Sequence, residues 1–128
     1  MKAIAVLTLL VAAPAIAQPL TVRTGETWIF SVKDGQPVDA RKANTKARPG
    51  KGQMMVAVRA MLGTNMSVIN NSPVAYTFHA ELLQGGKATA ARPCTLPANN
   101  RAIFEQWQQK ADAVRIGNFT PTGEEGHC

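Results

Sequence analysis

The chain has 128 residues and a formal net charge of +6, with 45% apolar and 5% aromatic residues. One domain fits this length and two do not. The apolar share is high enough to build a core, which excludes wholesale disorder.

The chain opens with Met1-Lys2, an apolar run from Ala3 to Ala13 and the small-x-small triplet Ala15-Ile16-Ala17. This is the pattern of a secretory signal peptide over residues 1–17. The run is too short for a permanent bilayer anchor, and no second long apolar run follows. The expectation is an exported protein, periplasmic or secreted, with no transmembrane segment in the mature chain. Residues 18–128, roughly 110 of them, then form one domain.

From Thr27 to Lys33 the apolar residues alternate: Trp28, Phe30 and Val32 share one face. Asp34-Gly35 is a favoured hairpin pair, and Pro37 just after it restricts the returning segment to a sheet edge. Asp39 to Gly52 reads as one long loop. Met54, Val56, Val58, Ala60 and Leu62 line one face of the next strand, and Gly63-Thr64-Asn65 reads as a turn before a short strand from Met66 to Ile69. Asn70-Asn71-Ser72-Pro73 breaks the chain again.

The clearest strand follows. Val74, Tyr76, Phe78, Ala80 and Leu82 lie on one face, with Ala75, Thr77, His79, Glu81 and Leu83 on the other. Gly85-Gly86 supplies a second tight hairpin, Lys87 to Arg92 returns, and Pro93 ends the pair. The stretch 98–110 fits two patterns. Ile103, Phe104, Trp107 and Ala111 have helical spacing, while Ile103, Glu105 and Trp107 fit one face of a strand, which is the preferred reading. Val114 and Ile116 begin a last strand that Phe119 closes. Strands at this spacing, separated by turn residues, predict an all-β fold: an immunoglobulin-like antiparallel β-sandwich of about seven strands, with one short helix near 99–110 as the alternative there. The expected core packs Val74, Tyr76, Phe78, Ala80 and Leu82 against Trp28, Phe30, Val32, Val56, Val58 and Leu62.

Several runs carry a resemblance: Asn70-Asn71-Ser72, the strand Tyr76 to Leu82, Cys94-Thr95-Leu96-Pro97, Phe104-Glu105-Gln106-Trp107 and Ala113 to Phe119. Together they resemble a group of small exported bacterial immunoglobulin-like β-sandwich proteins of unassigned function. The resemblance covers about half of the mature chain. It implies the fold and export, and it carries over no functional residue.

Two cysteines, Cys94 and Cys128, lie in the mature chain. An oxidising compartment favours pairing them, and the disulfide would pin a short polar tail to the body. The rival, a metal site from Cys94, Cys128, His127 and His79, matches no zinc-ligand spacing.

Catalytic chemistry finds little support. The chain has two histidines, no Gly-x-Ser-x-Gly elbow, no His-Glu-x-x-His and no Walker loop. The expectation is a non-enzymatic protein with no cofactor and no resident metal. Soft-metal binding of a copper type is an alternative, since Met54, Met55, Met61, Met66 and His79 offer suitable donors. The strand pattern spreads most of them apart, leaving Met61 and Met66 as the pair able to meet. A second alternative is a secreted inhibitor of an acidic cell-wall hydrolase, since the basic net charge disfavours a basic target. The most distinctive polar feature is a basic segment: Arg41, Lys42, Lys46, Arg48 and Lys51, with no acidic residue between Asp39 and Glu81. Such a segment suits an anionic ligand or surface, such as an anionic envelope component or an acidic protein. Nucleic acid is not expected, because no base-stacking aromatic is interleaved with these charges. The competing reading is a solvated loop that keeps the protein soluble.

Overall fold

The structure, a computed structural model, describes residues 18–123. The signal-peptide segment 1–17 and the tail residues Glu124, Glu125, His127 and Cys128 lie outside the described residues.

Among the described residues nine strands occur in chain order: β1 (Leu20–Arg23), β2 (Thr27–Lys33), β3 (Gln36–Ala43), β4 (Gln53–Arg59), β5 (Thr64–Asn71), β6 (Ala75–Gln84), β7 (Lys87–Ala91), β8 (Arg101–Trp107) and β9 (Ala113–Thr122). They form two antiparallel sheets, one ordered β1-β9-β6-β7 and the other β3-β2-β4-β5-β8. The fold is therefore an all-β sandwich, with nine strands where about seven were expected. Among the described residues no helix is long and apolar enough to cross a membrane.

Turn chemistry sets the hairpins. Asp34 and Gly35 have φ of 51° and 78°, and Gly85 and Gly86 have φ of 55° and 81°. Paired positive φ values give the primed turns whose twist matches that of flanking strands. The first hairpin also ties the two sheets together. Phe119 donates its backbone amide to the Gly35 carbonyl at 2.7 Å, and Gln36 Nε2 donates to Asn118 Oδ1 at 2.6 Å.

The core lies between the sheets. Phe30, Met54, Val56 and Val58 from one sheet face Phe78, Ala80, Leu82, Val114 and Ile116 from the other, all buried. Phe119 is the aromatic centre. Its ring lies 5.1 Å from Phe78, stacked, 5.7 Å from Phe30 and 6.0 Å from Tyr76. Trp28, Val32 and Tyr76 are partly buried at the margin of this cluster.

Two residues expected in the core are outside it. Leu62 is 89% exposed and Val74 is 37% exposed. β4 ends at Arg59, and the chain turns over Ala60 to Gly63 with Leu62 at φ 49°. Gly63, at φ 113°, fixes this turn, because a side-chain carbon there would collide with the Trp107 carbonyl. Thr64 and Asn65, expected in the turn, instead begin β5. Thr64 is buried, and its hydroxyl donates to the Gln109 carbonyl and accepts the Ala111 amide. Val74 sits where the chain enters β6 after Pro73, with its carbonyl accepting the Asn70 side-chain amide.

The stretch 98–110 contains no helix. Asn99 and Asn100 have φ of 65° and 61°, so they turn the chain into β8 where a helix start would need helical backbone. In β8 Ile103 is buried, Glu105 and Trp107 are half-buried, and Phe104 faces out.

Candidate functional site: a basic edge and an adjoining trough

The expected loop from Asp39 to Gly52 is shorter than the sequence suggests. β3 runs through Ala43 on the sheet edge, as Pro37 requires. A bulge between Ile29 and Ser31, with Asp39 at φ 52°, lets Arg41 pair with Ile29 and Lys42 pair with Trp28. Arg41 and Lys42 therefore stand on a strand, while Lys46, Arg48 and Lys51 stand on the loop that follows.

That loop is tied down and is not a freely solvated connector. Asn44 Oδ1 accepts the Lys46 amide at 2.9 Å. Asn71 Nδ2 donates to the Pro49 carbonyl at 3.0 Å, and the Gly52 amide donates to Asn71 at 2.7 Å. Pro49 is buried. On the outward face of the same sheet, Ile29 and Met55 are register partners and are 1% and 8% exposed. An outward row this dry needs a cover, and the loop with its buried Pro49 lies at that end of β4 and β5.

The five cations do not act as one group. Lys42 Nζ is 2.7 Å from Glu26 Oε2 and 5.9 Å from the centre of the Trp28 ring. Glu26 also accepts the Trp28 indole N–H at 3.2 Å and the Arg23 amide at 3.0 Å. The Lys42 ammonium first, then the Arg23 and Trp28 donors, hold the Glu26 carboxyl down to about 2. Lys42 is thus engaged within the fold. Arg41, Lys46, Arg48 and Lys51 are exposed, with the exposed Asp39 as the one acidic group on β3.

Across β4, β5 and β8, on the side of the five-stranded sheet away from β3, lies a trough of about 490 Å³. Its floor holds the small residues Ala57 and Ser67, register partners on β4 and β5, and Ser67 pairs in turn with Phe104 on β8. Met61, 65% exposed, and Phe104, 79% exposed, form apolar walls. Arg59 lines both this trough and a polar hollow of about 360 Å³ with Glu26, Thr27, Lys42, Asn44 and Thr45. Its Nη1 donates to the Glu26 and Val58 carbonyls and its Nη2 to the Thr27 hydroxyl, at 2.8–2.9 Å.

Sequence reading missed Arg59, Ser67 and Phe104 as a group. Phe104 carried the available signal, since an aromatic ring on the polar side of an alternating strand is out of place.

The other candidate donors are spread over the fold, with Met61 and Met66 at one trough. Met54 and Met66 are buried in the core, Met55 is buried on the other face of β4 and Met61 is exposed on the turn. Met61 and Met66 both line the trough described above, one exposed at its wall and the other buried. Among the described residues no group of three or more His, Cys, Asp and Glu side chains is placed to hold a metal ion. His79 is exposed on the outer face of the four-stranded sheet, opposite Gly117. It lines a cleft of about 570 Å³ in which Glu81 and Arg115 form an ion pair at 3.1 Å. Cys94 is half-buried, and its amide donates to Glu105 Oε1 on β8 at 2.6 Å.

The chain matches no protein-family model, no curated protein and no solved structure.

Proposed function

We propose that this chain is an exported, non-enzymatic β-sandwich that acts as a binding or accessory module and meets anionic surfaces of the cell envelope through its basic edge. The observation that carries the reading is the set of four exposed cations, Arg41, Lys46, Arg48 and Lys51, on β3 and the tied loop after it. A loop held by hydrogen bonds presents its charges at less entropic cost than a free one. The net charge, +6 for the full chain and about +5 once Lys2 leaves with the signal segment, adds long-range attraction to an anionic surface. Export rests on the signal pattern over 1–17, and we include a Cys94–Cys128 disulfide in the same reading because an oxidising compartment would form it.

The test is co-sedimentation with anionic phosphatidylglycerol vesicles and with neutral phosphatidylcholine vesicles at low salt. The variant combines Lys46→Ser, Arg48→Ser and Lys51→Ser, leaving Lys42 and its Glu26 partner intact. Each cation close to an anionic membrane contributes about 1 kcal/mol, so losing three weakens binding by up to about a hundredfold after screening. Wild type that ignores anionic vesicles, or a variant that binds them equally well, refutes the assignment.

A further inference from the structure

We infer that the trough beside Arg59 is a binding site for a single-chain carboxylate amphiphile of the fatty-acid class. This goes beyond the surface reading above, because it uses none of the loop cations.

Arg59 supplies the charge argument. Its three hydrogen bonds go to two backbone carbonyls and one hydroxyl, all neutral acceptors. Among the described residues Arg59 has no ion-pair partner: Glu26 pairs with Lys42, and Glu105, a carboxylate that also lines the trough, accepts the Cys94 amide through Oε1. A guanidinium has five N–H donors in a planar fork. Two of the five, one of them the Nε–H, remain for a ligand after these three bonds. One half-buried positive charge with two donors left matches one carboxylate, whose two oxygens accept in the same plane.

The apolar part of the ligand is set by the floor and walls. Ala57 and Ser67 keep the floor low, and the walls Met61 and Phe104 are large and exposed. Among the described residues, three of the four large exposed apolar side chains, Met61, Leu62 and Phe104, lie at this end, where Gln106 Nε2 reaches the Leu62 carbonyl and Asn65 Nδ2 the Met61 carbonyl. From Arg59 on β4 to Phe104 on β8 the sheet crosses two strand spacings, roughly 10 Å. That distance suits a medium-length alkyl chain lying across β5 with its head at Arg59. A volume of about 490 Å³ accommodates one such chain and not a two-chain lipid.

The experiment is an amide-resolved NMR titration of the mature protein with sodium decanoate below its self-association concentration. Decanol and sodium acetate serve as comparison ligands. Expected are saturable shifts at the Ala57, Ser67 and Phe104 amides with decanoate, binding at least tenfold weaker with decanol, and no shift at these amides with acetate. Ser67→Phe, which fills the floor from the exposed side, lowers decanoate affinity at least tenfold while the remaining amide spectrum keeps its dispersion. Phe104→Ser, the second variant, also weakens binding. Equal binding of decanol and decanoate overturns the role of Arg59, and binding unaffected by both variants overturns the location. The Lys46, Arg48, Lys51 triple serine variant retains decanoate binding. If it does not, the loop carries the ligand and the inference fails, whatever the vesicle experiment shows.

Discussion

Replacing Phe119 by alanine tests the architecture of the core more sharply than any other single change. The ring is 3% exposed and touches aromatic rings from both sheets: Phe30 on β2, and Tyr76 and Phe78 on β6. Truncating a buried phenylalanine costs about 3–5 kcal/mol through lost transfer energy and the cavity left behind. Aromatic pairs contribute a further 0.5–1.5 kcal/mol or so each beyond their area. With three such partners the loss belongs at or above the upper end, about 5 kcal/mol, which is comparable to the whole stability of a marginal domain. Phe119→Leu keeps most of the volume and loses the ring geometry, so it should cost less, about 1.5–3 kcal/mol. Phe78→Ala, with one aromatic partner, should fall between these values, at about 3–4 kcal/mol. His79→Ala, on the exposed face one residue away, should cost under about 0.5 kcal/mol. Urea denaturation followed by the fluorescence of the two tryptophans gives the midpoint and slope for each variant. The ordering Phe119→Ala, Phe78→Ala, Phe119→Leu, His79→Ala is the expected result. A loss at His79 comparable to that at Phe78 would show that the two faces of β6 have been assigned wrongly.

Three further outcomes are expected. Lys42→Met removes the main cause of the depressed Glu26 carboxyl, so its titration by carbon NMR should move from about 2 toward the ordinary value of 4.5. A lowered carboxyl pKa stabilises the fold above 4.5 and loses that contribution as pH falls toward 2, so the variant's stability should depend less on pH in that window. Because Lys42 is 65% exposed, the pair contributes only about 0.5–1 kcal/mol. Gly63→Ala forces a side-chain carbon against the Trp107 and Gln108 carbonyls and should cost upwards of about 2 kcal/mol by urea denaturation, whereas Gly85→Asn, in open space at φ 55°, should cost under about 1 kcal/mol. Intact mass of the non-reduced mature protein should show a Cys94–Cys128 disulfide, whose ring of about 35 residues is worth roughly 3.8 kcal/mol by the chain-entropy argument. Two alkylatable thiols in freshly isolated protein would exclude that pairing.

What was legible in the sequence is what local chemistry decides. Asp34-Gly35 and Gly85-Gly86 make their hairpins because the residues themselves tolerate positive φ. The alternation through Tyr76 to Leu82 and through Ile103 to Trp107 gives the faces that the sheets use. The misreadings have non-local causes. Apolar alternation runs past Arg59 into Met61 and Leu62, and what stops β4 is the close approach of the 107–108 backbone to Gly63. β1 went unread because four residues with one fully buried position, Val22, are too short to show a period. Polar Asp39 suggested that a loop had begun, but there it supplies the positive φ of a bulge, and β3 continues. That bulge sets the register that brings Lys42 against Trp28 and Glu26, so a cation that reads as part of a free cluster is occupied within the fold. The trough was hidden for the same reason: Arg59, Ser67 and Phe104 meet only through the pairing of β4, β5 and β8.

The central claim is that the exposed cations of β3 and its following loop, and not the total charge, bind anionic surfaces. The most direct measurement is the vesicle affinity of wild type and of the Lys46, Arg48, Lys51 triple serine variant as ionic strength rises from about 10 mM to about 200 mM, where the screening length falls severalfold. The account predicts that wild-type affinity for phosphatidylglycerol vesicles drops steeply over this range, while the variant starts weak and changes little. Parallel curves for the two proteins, separated by no more than their difference in net charge would give, would contradict it.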